Sequence, residues 1–98
     1  MSSATHNILL IDGNPRHAKE LREAFVATGG NPSNFDWVKT LSKGLDRVID
    51  TGKKDIWAIF LNLFLPDSCS LETFEKLSTV NSTVPIVVLG GVNSEAPL

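Results

Sequence analysis

Cysteine occurs once in the 98 residues, at Cys69. The chain therefore forms no intrachain disulfide and cannot build a metal site from thiolates alone. Basic charge is also scarce: nine Lys and Arg stand against eleven Asp and Glu, a formal net charge of -2. That balance gives no electrostatic basis for binding nucleic acid or an anionic membrane surface. The one adjacent basic pair, Lys53-Lys54, reads as a solvated turn. No apolar run approaches the ~20 residues that a membrane-spanning helix needs. The polar start, Met1 to His6, lacks a signal-peptide pattern, so the expected location is cytoplasmic. Internal repeats and low-complexity segments are missing as well. What remains is 42% hydrophobic and 20% charged residues, the balance of a folded soluble domain, and the whole chain, 1–98, reads as a single small domain.

The strongest pattern is Ile56-Trp57-Ala58-Ile59-Phe60-Leu61-Asn62-Leu63-Phe64-Leu65-Pro66-Asp67. So apolar a run, closed by a Pro-Asp turn, suits a central parallel strand covered on both faces. Asn7 to Ile11 is a shorter run of the same kind, followed by Asp12-Gly13-Asn14-Pro15. Asn14 is a good N-cap and Pro15 a good first helical residue. Ala18, Leu21 and Phe25 then recur at helical spacing until Gly29-Gly30 ends the helix. Phe35 to Val38 is a second, weaker strand. A second helix runs from about Thr40, with Leu41, Leu45, Val48 and Ile49 on one face, Thr40 or Ser42 as cap, and Gly44 costing ~1 kcal/mol relative to alanine. Leu71, Phe74 and Leu77 define a third helix, with Ser70 and Thr73 as capping groups, and Val84 to Leu89 forms a fourth strand closed by Gly90-Gly91. The order β-α-β-α-β-α-β implies parallel pairing with right-handed crossovers.

These residues resemble the receiver domain of two-component response regulators. Ile8 to Pro15 looks like that family's first strand and acidic turn, Asp55 to Glu72 like its third strand and following loop, and Val84 to Leu89 like its fourth strand. The resemblance implies a flavodoxin-like α/β fold, a three-layer sandwich around a parallel sheet of order 2-1-3-4, here without the last strand and helices. It also implies a site at the strand ends. The phosphoacceptor position falls on Asn62, the acidic pair that holds Mg²⁺ on Asp12 and Gly13, and the hydroxyl position on Gly90; the lysine of the fifth strand lies past Leu98. An amide is a poor nucleophile, and a hard cation needs several oxygen ligands. The resemblance thus points to a pseudo-receiver, not an enzyme, with no Mg²⁺ or other cofactor and with Asp12 at most a weak metal ligand.

Several residues carry two readings. Asn62 either mimics one signalling state or simply pairs with local backbone. Asp12 either keeps some cation affinity or accepts bonds from turn amides. Asp67 is a possible substitute acceptor, though its Pro-Asp context favours a plain turn residue. His17 has no helical-bundle context for phosphotransfer and reads as a surface histidine, Cys69 as incidental, and Trp37 and Trp57 as core or partly buried packing residues. The expected function is a phosphorylation-independent receiver-like protein-interaction module in bacterial two-component signal transduction, binding a sensor kinase, an output domain or itself. The alternative is a phosphoaccepting receiver using Asp12 or Asp67. A nucleotide-binding α/β domain is weaker, because no glycine-rich cradle follows the first strand. An apolar fourth strand at a sheet edge, and a sheet face left open beside the first helix, are expected to favour a homo-oligomer.

Overall fold

The computed structural model describes residues 7–49, 56–80 and 83–89. Strands β1 (Asn7–Ile11), β2 (Phe35–Val38), β3 (Ile56–Asn62) and β4 (Ile86–Leu89) alternate with helices α1 (Pro15–Ala27), α2 (Leu41–Ile49) and α3 (Leu71–Val80). All strand pairs are parallel and the sheet order is β2-β1-β3-β4. The expected α/β architecture and strand order are what the chain adopts. Lys53-Lys54, Gly90, Gly91 and the segment to Leu98 lie outside the described residues.

This order decides where a site can form. The chain steps from β1 outward to β2, then back across to β3 and on to β4. Right-handed crossovers therefore place α1 on one face and α2 and α3 on the other. The direction reverses between β1 and β3, and the carboxyl ends of those two strands open at the crevice where α/β sheets bind ligands. Asp12 follows β1 and Asn62 ends β3, so both residues sit at that switch point.

On the α2–α3 face, Leu9, Ile11, Val38, Ile59 and Leu61 pack with Leu41 and Val48 of α2 and Leu77 of α3 in one buried cluster. The other face buries Ile8, Leu10 and Ala58, with Ala18 the buried residue of α1. Alternation along β1 thus serves two layers, as a doubly covered parallel strand requires.

Two helix faces and one strand differ from their sequence reading. Leu41 and Val48 of α2 are buried, but Ile49 is 68% exposed, and Gly44 takes a buried place instead. A Cβ on Gly44 would lie 2.4 Å from Cδ1 and 2.9 Å from Cγ1 of Ile11, so the glycine lets α2 approach β1. In α3, Leu71 is 62% exposed, while Thr73 and Leu77 are buried. Thr73 is an anchor more than a cap: its Oγ1 donates to the Leu63 carbonyl at 2.9 Å and shares a 2.9 Å bond with Ser68 Oγ. Trp57 is 58% exposed, so β3 is not covered on both faces along its whole length. Among the described strands β4 is an edge, with Val87 and Val88 each 42% exposed.

The helix ends follow their sequence signals. Asn14 caps α1 by accepting from the Arg16 amide at 2.8 Å. At the other end Gly29 adopts φ +102°, and the amides of Gly29 and Gly30 donate to Val26 and Phe25. That pair of bonds satisfies otherwise orphaned carbonyls and needs a left-handed residue at Gly29. A 3-10 turn, Pro32–Asn34, occupies what reads in sequence as plain loop, capped by the Asn31 side chain. No helix among the described residues is long and apolar enough to cross a membrane.

Candidate functional site

An open depression of about 510 Å³ lies at the switch point, lined by Asp12, Gly13, Asn14, Pro15, His17, Asn62, Phe64 and Pro66. Its floor is the Asp12 carboxyl, which is wholly buried. A buried carboxylate is costly unless hydrogen-bonded, and here both oxygens have donors. Oδ1 accepts from the Asn14 amide at 2.9 Å and from Asn62 Nδ2 at 3.2 Å. Oδ2 lies 2.9 Å from His17 Nδ1. The Asp12 main chain is also held, its amide by the Val38 carbonyl at 3.1 Å and its carbonyl by Trp37 Nε1 at 2.6 Å. One residue thus ties β1 to β2, to β3 and to α1.

The Asn62 amide is fixed by its neighbours. The Phe64 N–H donates to Asn62 Oδ1 at 2.8 Å, so the amide oxygen must face that way. The NH₂ group is then left to face Asp12. Asn62 therefore pairs with local backbone, one of its two sequence readings, and in addition donates to the carboxylate across the sheet.

These residues do not fit the Mg²⁺ that the fold family implies. The nearest amide offers protons to Asp12, not an oxygen to a cation, and Asp12 Oδ2 already faces an imidazole. Gly13 supplies no side chain, and a Cβ there would stand 3.2 Å from Pro66 Cδ and 3.5 Å from the Lys39 carbonyl. An acid at this position would require Pro66 to give way by a few tenths of an ångström. Among the described residues, octahedral coordination by several oxygens has no counterpart in this arrangement.

His17 and Trp37 are the site residues that sequence reasoning undervalued. His17 is half-exposed, at 47% of its side chain, but it is bound to Asp12 and does not stand free on the surface. A usable signal existed. His17 is the third residue of α1, and helical side chains lean toward the helix N-terminus, which brings the ring back over the preceding strand end. Trp37 is partly buried as expected, with Lys39 Nζ 5.3 Å from its ring centroid.

Asp67, the possible substitute acceptor, is outside the depression. It sits in the tight turn in which Leu65 and Ser68 exchange backbone bonds. Its two oxygens accept from the Leu41 and Ser42 amides at 2.8 and 3.0 Å, while Thr40 Oγ1 accepts from Lys43 at 3.2 Å. Together they satisfy the first three amides of α2, and Thr40 is the local cap. Partial burial pushes the Asp67 carboxyl up. The bonds from Leu41, Ser42 and its own amide, with the positive charge of Lys76, outweigh that and hold it below the ordinary value of 3.8. A lowered folded value stabilises the protein above the unfolded value and is lost as pH falls through the folded one. We therefore expect Asp67→Asn to be less stable than the parent at neutral pH, with the gap closing below pH 3.8. Urea unfolding of both proteins across that range checks it, and a gap unchanged by acid would remove Asp67 from the role of charged cap. Cys69, two residues on, is exposed and unpaired.

No protein-family model matches this sequence, and no curated protein does. Among solved structures the chain superimposes on the MaeR response regulator bound to beryllium trifluoride, with a TM-score of 0.71 and 16% identity over 86% of this chain. The chain spans 66% of the length of that structure. With its parallel sheet, its strand order and its switch point between β1 and β3, this chain has the flavodoxin-like fold of a response regulator receiver.

Proposed function

We propose that this protein is a receiver-like interaction module of two-component signalling that works without phosphorylation of its strand-end position. The observation that carries the reading is the Asn62 amide, which is committed on both sides, to Phe64 and to Asp12. A group so engaged, and uncharged, offers no nucleophile to a phosphoryl donor. Asp12 and Asp67, the alternative acceptors, each carry their bonds in structural roles. With the acceptor position occupied in this way, contact surfaces are left as the means of signalling. Candidates include Phe64 at the rim of the depression, 49% exposed, and the apolar strand β4, an edge among the described strands. The partners proposed are a sensor kinase, an output domain or a second copy of the chain, in the cytoplasm.

Incubation with a small acyl phosphate and Mg²⁺, followed by peptide mapping, tests this reading. The expected result is no phosphoryl group on any aspartate. A stoichiometric adduct on Asp12 or Asp67 would refute the module reading in favour of a phosphoaccepting receiver. Sedimentation tests the self-association arm separately: a well-folded monomer at micromolar concentration would remove a second copy from the partners.

A further inference from the structure

His17 and Asp12 form a carboxylate–imidazole pair that the interaction-module reading does not use. The buried carboxylate can only accept, so the 2.9 Å contact requires the proton on Nδ1. In the neutral ring that leaves Nε2 with a bare lone pair. Nδ1 faces the buried carboxyl, whereas the ring is half-exposed and lines the open depression. Among the described residues the His17 ring has no other hydrogen-bond partner. This is the tautomer and orientation that turn an imidazole into a nucleophile, with the carboxylate holding the proton on the far nitrogen and offsetting the charge that develops on the ring.

The surroundings select the kind of electrophile. His17 is the third residue of α1, beside the positive end of a 13-residue helix, where negative charge is favoured. Among the described residues Asp12 is the one acidic side chain lining the depression, and its oxygens are taken up by Asn14, Asn62 and His17. The other polar linings, Asn14 and Asn62, are neutral amides. A compact anionic electrophile suits this place better than a neutral or cationic one.

We propose that Nε2 of His17 is a phosphoryl-acceptor site. The proposal does not rest on the interaction-module reading, which concerns partner binding by the unmodified domain. With phosphoramidate as donor, the Nε2 lone pair attacks phosphorus and a new N–P bond forms. The donor reacts as its zwitterion, with three protons on nitrogen; its own N–P bond breaks, and ammonia leaves with that electron pair. The Nδ1 proton stays in place, and the positive ring that results remains paired with the Asp12 carboxylate. No metal ion or second reactant is needed.

The chain carries its own reference, because its other histidine is His6. The intact protein is treated with phosphoramidate at neutral pH without Mg²⁺, and labelling at His6 and His17 is followed by tandem mass spectrometry. His17 is expected to be labelled on the order of ten- to a hundredfold faster than His6, taking as a guide what the carboxylate behind a metal-bound histidine is worth. In Asp12→Asn the ratio should fall toward one. Should that variant fail to fold, urea-unfolded parent protein gives the same comparison with the pair broken. Equal labelling of the two histidines in the folded parent, or a ratio unchanged when the pair is broken, would overturn the proposal. A phosphoryl group on Asp12 or Asp67 under acyl phosphate would instead refute the interaction-module reading, so the two failures are distinguishable.

Discussion

Asp12→Ala is expected to lower the stability of this protein by about 3 kcal/mol, a large part of the roughly 5–15 kcal/mol that holds a domain together. A carboxylate kept only for metal chemistry behaves in the opposite way, because removing an exposed, unpaired charge costs little. Here the carboxyl is wholly buried and accepts from Asn14, Asn62 and His17. Truncation leaves the nearly buried Asn62 amide without its partner and opens a hole beneath the depression. An unpaired buried donor costs about 1–3 kcal/mol, and bonds to a charged group are the stronger kind. Asn at this position preserves volume and one acceptor, so Asp12→Asn should fall between alanine and the parent. Equilibrium urea unfolding measures both. A loss below about 1 kcal/mol for alanine would show that Asp12 is not the tie between β1, β3 and α1 described above.

The second large effect is a reversal of sign. By helix propensity alone, Gly44→Ala should stabilise α2 by about 1 kcal/mol. In the folded protein the new methyl would fall 2.4 Å from Cδ1 and 2.9 Å from Cγ1 of Ile11. Ile11 is fully buried in the central cluster, so its side chain has little room to turn away, and Cγ1 cannot move without shifting the residue's packing. Overpacking of this kind costs about 1–3 kcal/mol. The substitution is therefore expected to destabilise, with the unfolding midpoint in urea moving down. A midpoint that moves up would mean that Ile11 rotates freely and that α2 is not held at glycine distance from β1.

Both predictions separate what local pattern reveals from what contact reveals. The strands β1, β3 and β4 were legible because apolar runs bounded by turns have few other uses, whereas β2, interrupted by Asp36, gave a weaker signal. The end of α1 was legible because Gly29-Gly30 is a signal that acts over six residues. The same local logic misplaced Leu71 and Ile49, which have helical spacing but face outward. It also took Thr73 for a capping group, whereas the Thr73 hydroxyl is buried and donates to the Leu63 carbonyl where β3 ends. Hydrophobic period identifies a face, but it does not say how far along a helix the neighbouring layer extends.

For the candidate site, the sequence by itself determined which groups are present: an amide at Asn62, a carboxyl at Asp12 and no side chain at Gly13. It also determined the order of elements, and the resemblance to receivers implied that Asp12 and Asn62 meet at the β1–β3 switch point. Only the tertiary structure decided what those groups do. Which atom of Asn62 faces Asp12 depends on an amide two residues further on. Whether His17 is a surface residue depends on the angle at which α1 leaves β1. Asp67 caps a helix that begins 26 residues before it. Hydrogen bonds are short-ranged and directional, so a chain can specify its donors and acceptors locally while their pairing waits for the fold.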